Sequence, residues 1–184
     1  MKALGIYGSP RTHGNTETML SIVLDELKRL DIETEMINVC KINIEPCTSC
    51  RNCVKTGKCS IDDDMTHVVM PKLILTDILI VATPVYFNNV SACTKKFIDR
   101  TWCLRGKLRN KIGGGIVVGR GYGLELALVA IHSFMLKHEM VIGHRGVSCR
   151  AYELGEALND KRAIKDAKRL AKRLYELARI MKNK

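Results

Sequence analysis

Four cysteines crowd into the stretch Cys47-Thr-Ser-Cys50-Arg-Asn-Cys53-Val-Lys-Thr-Gly-Lys-Cys59. Thiolates are soft ligands suited to iron or zinc, and a C-x2-C-x2-C run lays three sulfurs round one centre. Cys59 follows a few residues on as a fourth. Zinc sites more often use two separated C-x2-C knuckles that grip a tetrahedral ion from two sides, whereas one loop can wrap the spaced corners of a cubane. The spacing therefore favours an iron-sulfur cluster, with zinc second and disulfides third. The chain opens on the strand-like Lys2-Ala-Leu-Gly-Ile-Tyr7, without the charged n-region and apolar h-region of an export signal, so these cysteines are expected to be reduced in a cytoplasmic protein.

A second stretch with chemistry in it is Gly8-Ser-Pro-Arg-Thr-His-Gly-Asn-Thr16. It lies between an apolar strand and a helical pattern of Met19, Leu20, Val23, Leu24 and Leu27. Free backbone N–H groups and the positive dipole end of a helix make such a junction an anion site. Ser9, Thr12, Asn15 and Thr16 add neutral hydrogen-bonding groups, and Arg11 adds a charge that can pair with phosphate through two nitrogens. Asn15 could serve only as a helix cap, but capping does not explain a hydroxyl-rich loop that carries an arginine. The stretch is neither a P-loop nor G-x-G-x-x-G.

Two further loops close the inventory. Thr83-Pro-Val-Tyr-Phe-Asn-Asn89 follows the apolar run Asp77-Ile-Leu-Ile-Val-Ala82, and it places a Tyr and a Phe where open α/β sheets bind ligands. Packing of both rings in the core is the competing expectation. Gly119-Arg-Gly-Tyr-Gly123 follows a second buried-strand pattern, Gly115 to Gly119, and its glycines permit close backbone approach to a flat ligand.

The elements that must position these loops alternate. Strands are expected at 3–7, 33–39, 77–82, 115–119 and 140–142. Helices are expected from about residue 16, after Asp62-Asp63-Asp64, and at 91–103, 124–136 and 160–181. The three acids suit a helix N-terminus, and Pro71 should kink or split that helix near Met70. This rhythm predicts one doubly wound domain spanning 1–184, a five-stranded parallel sheet of flavodoxin-like order 2-1-3-4-5 with the cysteine loop 47–59 after strand 2.

Charge and composition exclude several classes. Of the formal net charge of +11, ten Lys or Arg against three acids, +7, fall between Asp160 and Lys184. That basic helix face lacks interleaved aromatics and any binding motif, so a solvated face is expected first and docking of an acidic protein second, ahead of nucleic acid. No apolar stretch is long enough to cross a bilayer. The five histidines show no metal or triad spacing. Cys40, Cys93, Cys103 and Cys149 stand alone and are expected to be small buried hydrophobes.

With these residues in view, the chain resembles the iron-sulfur flavoproteins of the flavodoxin-like NADPH-dependent FMN reductase superfamily. Its anchors are Gly8 to Thr16, the compact cysteine motif running into Asp62-Asp-Asp-Met65, Thr83-Pro-Val-Tyr-Phe87 and Lys96-Phe-Ile-Asp-Arg100. The resemblance implies a 4Fe-4S cluster on Cys47, Cys50, Cys53 and Cys59. It implies FMN with its phosphate on Ser9, Arg11, Asn15 and Thr16 and its ring against Pro84, Val85, Tyr86, Phe87, Asn88, Gly119, Arg120 and Gly121. It also implies electron transfer from a ferredoxin-like donor to a small acceptor such as oxygen or peroxide, in a homodimer or homotetramer whose cluster and flavin meet across subunits. Two other functions compete. One is an NAD(P)H-dependent FMN or quinone reductase with a structural zinc loop. The other is a regulatory protein that uses its cluster as a sensor.

Overall fold

Branched apolar runs fix the middle of the molecule. The computed structural model describes residues 1–182. β1 (Lys2–Tyr7) lies parallel to β3 (Ile78–Tyr86), with Ala3 beside Ile78 and Tyr7 beside Ala82. β2 (Glu33–Asn38) pairs with the other edge of β1, and β5 (Ile112–Gly119) with the other edge of β3. A short β4 (Asn89–Val90) folds back antiparallel onto the end of β3.

Alternation along β3 explains the layers. Ile78, Ile80 and Ala82 face Met19, Leu20, Val23 and Leu27 of α1 (Asn15–Lys28) and Leu170 and Leu174 of α6 (Lys161–Lys182). Leu79 and Val81 face the other way, toward Leu73 of α3 (Met70–Leu75), Phe97 of α4 (Ala92–Arg100) and Ile131 of α5 (Leu124–Lys137). A strand covered on both faces must be apolar throughout, as this one is. Each large aliphatic side chain so buried contributes about 1.5–3 kcal/mol.

The flavodoxin-like order stands, with β2-β1-β3-β5 and a final position beyond β5. That position differs in detail from the expected single strand. β6 (Val141–Ile142) pairs with the start of β5 and β7 (Val147–Arg150) with its end. Gly146 between them has φ +90°, a conformation that breaks a strand and favours glycine. Pro71 acts as expected: a π-helical turn, Met65–Val69, gives way to α3 with the proline in its first turn. Ser91 caps α4 by accepting from the Thr94 N–H. A one-turn helix, α2 (Asn52–Thr56), sits inside the cysteine loop.

One expectation is corrected. Cys40 and Cys93 are not isolated hydrophobes but a disulfide with Cα atoms 5.3 Å apart. It joins the turn after β2 to the first turn of α4. Pairing across 53 residues leaves no spacing pattern in the sequence.

Candidate functional site

All parallel strands end on one edge of the sheet, and the chain turns opposite ways from β1 to β2 and from β1 to β3. The loops after β1, β3, β5 and β7 meet over that switch point, where open sheets bind ligands. They enclose a cavity of about 550 Å³. Its lining takes Ser9 and Arg11 from the first loop with Asn15 and Thr16 at the start of α1, Pro84, Val85 and Tyr86 at the end of β3 with Phe87 and Asn88 just beyond, and Gly119 at the end of β5 with Arg120 after it. Gly121 lies outside it, in a neighbouring polar cavity with Arg150 and Arg162.

Tight backbone packing holds these loops. Ser91 Oγ donates to the Gly8 carbonyl at 2.6 Å, and a Cβ on Gly8 would lie 2.0 Å from Thr94 Oγ1. Gly123 has φ +66° and sits against Asn88, whose Cα would be 2.4 Å from an added Cβ. The loop after β1 is thus fastened to α4, and the loop after β5 to the loop after β3. Asn15 does not cap α1, because Gly14 holds that place. Its side chain instead bridges to the far loop, donating to the Glu153 carbonyl at 2.7 Å and accepting from the Ala157 N–H at 3.1 Å. Arg11 Nη1 donates to the Tyr152 carbonyl at 2.8 Å, and the Arg120 guanidinium lies 3.5 Å over the Tyr152 ring. Phe87 projects fully into solvent at 105% exposure, so the loop aromatics do not pack in the core.

Tyr122 and Tyr152 also line this cavity, and sequence reasoning missed both as site residues. Tyr152 follows β7, which the short polar run Val147–Arg150 did not announce. The residues present fit a flavin mononucleotide: a hydroxyl-rich loop with an arginine at a helix start, and an aromatic, glycine-bounded slot beside it.

The four loop cysteines, Cys47, Cys50, Cys53 and Cys59, line a second cavity of about 700 Å³, with Arg100, Trp102, Cys103, Phe134 and Lys137 on its wall. Among the described residues no three His, Cys, Asp or Glu side chains are gathered at one point. All four thiols are free and belong to the wall of that one cavity, a donor set that an iron-sulfur cluster would take. Hydrogen bonds from the Ser60 hydroxyl and the Asn52 N–H hold the Cys50 thiol below its usual pKa, toward the thiolate. Burial, followed by the neighbouring Cys59 and Cys53, pushes Cys103 up to about 11.

Behind the cysteines lies a buried ion pair. The side chains of Arg100 and Asp63 are both fully enclosed, and Arg100 Nη2 reaches Asp63 Oδ1 at 2.9 Å and Cys59 Sγ at 3.5 Å. Burial alone would raise the Asp63 carboxyl, but hydrogen bonds from Arg100 and from the Glu45 and Thr66 N–H groups hold it below the carboxylate range. The triple Asp is therefore not only a helix-dipole device. Asp62 pairs with His67, Asp64 accepts from the Asn43 N–H, and Asp63 faces inward. Arg100 Nε is buried with no partner, and the four thiols on one cavity wall with a guanidinium N–H at the Cys59 sulfur are a donor set that fits a sulfide cluster.

Comparison with known proteins agrees with this geometry. Residues 1–152 match the family model for NADPH-dependent FMN reductase. An iron-sulfur flavoprotein of Methanocaldococcus jannaschii is 36% identical over 193 residues, covering 99% of this chain and all of that protein. One from Archaeoglobus fulgidus is 32% identical, covering 100% and 98%. Among solved structures, RosB with bound 8-demethyl-8-formylriboflavin-5'-phosphate superposes with a TM-score of 0.82 at 17% identity, covering 100% of this chain and 81% of that one. An archaeal flavodoxin superposes with a TM-score of 0.64 at 16% identity, covering 97% and 99%.

Proposed function

The chain belongs to the NADPH-dependent FMN reductase family and within it to the iron-sulfur flavoproteins, and from that premise we propose an electron-transfer role with two redox groups. FMN occupies the cavity over the switch point, and a 4Fe-4S cluster occupies the cavity of Cys47, Cys50, Cys53 and Cys59. The observation that carries this reading is the sorting of two residue sets, far apart in type, into two separate cavities. When bound, the cluster supplies one-electron chemistry and the flavin both one- and two-electron chemistry. The donor is a one-electron carrier of the ferredoxin class and the acceptor a small molecule such as oxygen or peroxide.

The chain's own residues bind and orient. Ser9, Arg11 and Thr16 receive the phosphate at the start of α1, while Asn15 ties that loop to residues 153–157. Pro84 to Asn88, Gly119 and Arg120 bound the ring slot.

The deciding experiment is an anaerobic absorption spectrum with iron and sulfide analysis. Broad absorbance that dithionite bleaches around the flavin bands, with iron and acid-labile sulfide, supports the reading. Zinc without sulfide points to the FMN or quinone reductase instead. Replacing any one of Cys47, Cys50, Cys53 or Cys59 with Ala is expected to lower iron content and leave much flavin bound. Arg11→Ala is expected to do the reverse, weakening FMN by roughly ten- to a hundredfold, the worth of one charge-assisted hydrogen bond. An unchanged FMN dissociation constant would remove Arg11 from the phosphate site.

A further inference from the structure

Arg100 ends α4, and its side chain is fully buried, an uncommon place for a cation unless it is paired. Its partners share one origin. Nη1 donates to the Glu45 carbonyl at 2.7 Å and to Asp63 Oδ2, and Nη2 to Asp63 Oδ1, to Thr66 Oγ1 at 3.2 Å and to Cys59 Sγ at 3.5 Å. Glu45 precedes the cysteine loop, and Cys59, Asp63 and Thr66 close it. One guanidinium therefore pins both stems of the loop and touches a sulfur of the cavity wall, with Nε buried and unpaired.

We propose that Arg100 is the positioning residue of the cluster centre: with Asp63 as buried counter-ion, it holds the Cys59 sulfur in ligating register and raises the cluster's reduction potential. The inference rests on the assignment of the cluster to Cys47, Cys50, Cys53 and Cys59. Taking up an electron makes the centre one charge more negative. A buried cation and a hydrogen bond at a ligating sulfur stabilise that form over the oxidised one. Asp63 offsets part of the charge, but among the described residues it bonds to the guanidinium and to backbone N–H groups, not to a cysteine. The donor, not the carboxylate, meets the sulfur. A lysine could carry the charge but not the planar fork that reaches carbonyl, carboxylate and sulfur at once.

The test uses the full chain, reconstituted anaerobically with iron and sulfide, as wild type, Arg100→Lys and the double variant Arg100→Gln/Asp63→Asn. The double variant removes both charges together, so no unpaired carboxylate is left in the interior. Iron and sulfide are counted, and the midpoint potential is read by EPR-monitored titration. The expected result is a more negative midpoint potential in the double variant, with Arg100→Lys falling between it and wild type. A double variant with wild-type iron content and an unchanged potential overturns the proposal. Should the double variant fail to fold, wild-type protein carrying 15N-arginine decides by pulsed EPR of the reduced cluster. Hyperfine coupling to an arginine nitrogen that is lost in equally labelled Arg100→Lys supports the contact, and the same coupling in both, or none in wild type, sinks it. A wild-type chain that takes up no iron and sulfide at all refutes the cluster assignment itself, an outcome distinct from an unmoved potential.

Discussion

Asp63 and Arg100 show how much one pair can carry. Because hydrogen bonds hold the folded Asp63 carboxyl below its ordinary value of 3.8, its stabilising contribution is fully present above that value and is lost as pH falls through the folded pKa. Urea midpoints measured from pH 7 downward are therefore expected to be flat to about pH 5 and to fall below about pH 4. Asp63→Asn should flatten part of that acid limb, and a limb identical to wild type would show that other carboxylates govern it. Asp63→Ala, which leaves the guanidinium buried and unpaired, should cost about 3–5 kcal/mol. Little of this was legible in the sequence. Asp62-Asp-Asp64 reads as three equivalent acids at a helix start, and only the fold shows that the middle one meets a cation 37 residues away.

Elements with a strong local signal were the legible ones. The apolar run of β3, the stripe of α6 and the loop-to-helix junction at α1 announced themselves because burial on two faces, burial on one face and an anion-ready helix start each leave a distinct pattern. The four-residue β7 did not. It is separated from β6 by a turn through Gly146, and its side of the flavin cavity, including Tyr152, went unseen with it. The Cys40–Cys93 disulfide was equally hidden, since two single cysteines carry no periodicity. It staples the root of the cysteine loop to α4, whose other end holds the loop through Arg100. Closing 53 residues restricts the unfolded chain by about 4 kcal/mol on the chain-entropy account. Denaturation of Cys40→Ser/Cys93→Ser, or of wild type with excess dithiol, is expected to show a loss of stability up to that size with iron content retained. Equal stability of oxidised and reduced protein would mean that the staple constrains nothing.

For the whole molecule, the two cavities lie at opposite ends of α5. At its start Tyr122 lines the flavin cavity and Gly123 rests on Asn88, while at its end Phe134 and Lys137 line the cysteine cavity. Fourteen residues at 1.5 Å each separate the ends by about 21 Å, so a cluster on the four cysteines would not sit beside the flavin cavity of the same chain. The outer face of α5 carries Leu126, Val129 and Leu136, all more than half exposed, with Phe87 and Tyr122 open to solvent near its start. An apolar stripe of this kind, broken only at Ser133, is costly in water and marks a contact surface. If a second copy covers it about a two-fold axis crossing the helix, the two α5 helices run antiparallel, and the flavin end of each meets the cluster end of the other. The stripe and the distance then have one explanation. Sedimentation is expected to give at least a dimer, and Leu126→Glu/Val129→Lys should shift it toward monomer. A mixed oligomer of a Cys53→Ala chain stripped of iron and an Arg11→Ala chain stripped of flavin should recover donor-driven flavin reduction that neither gives alone. A wild-type monomer that still reduces its flavin rapidly through its cluster would place transfer within one chain, and the stripe on α5 would then have to serve something else.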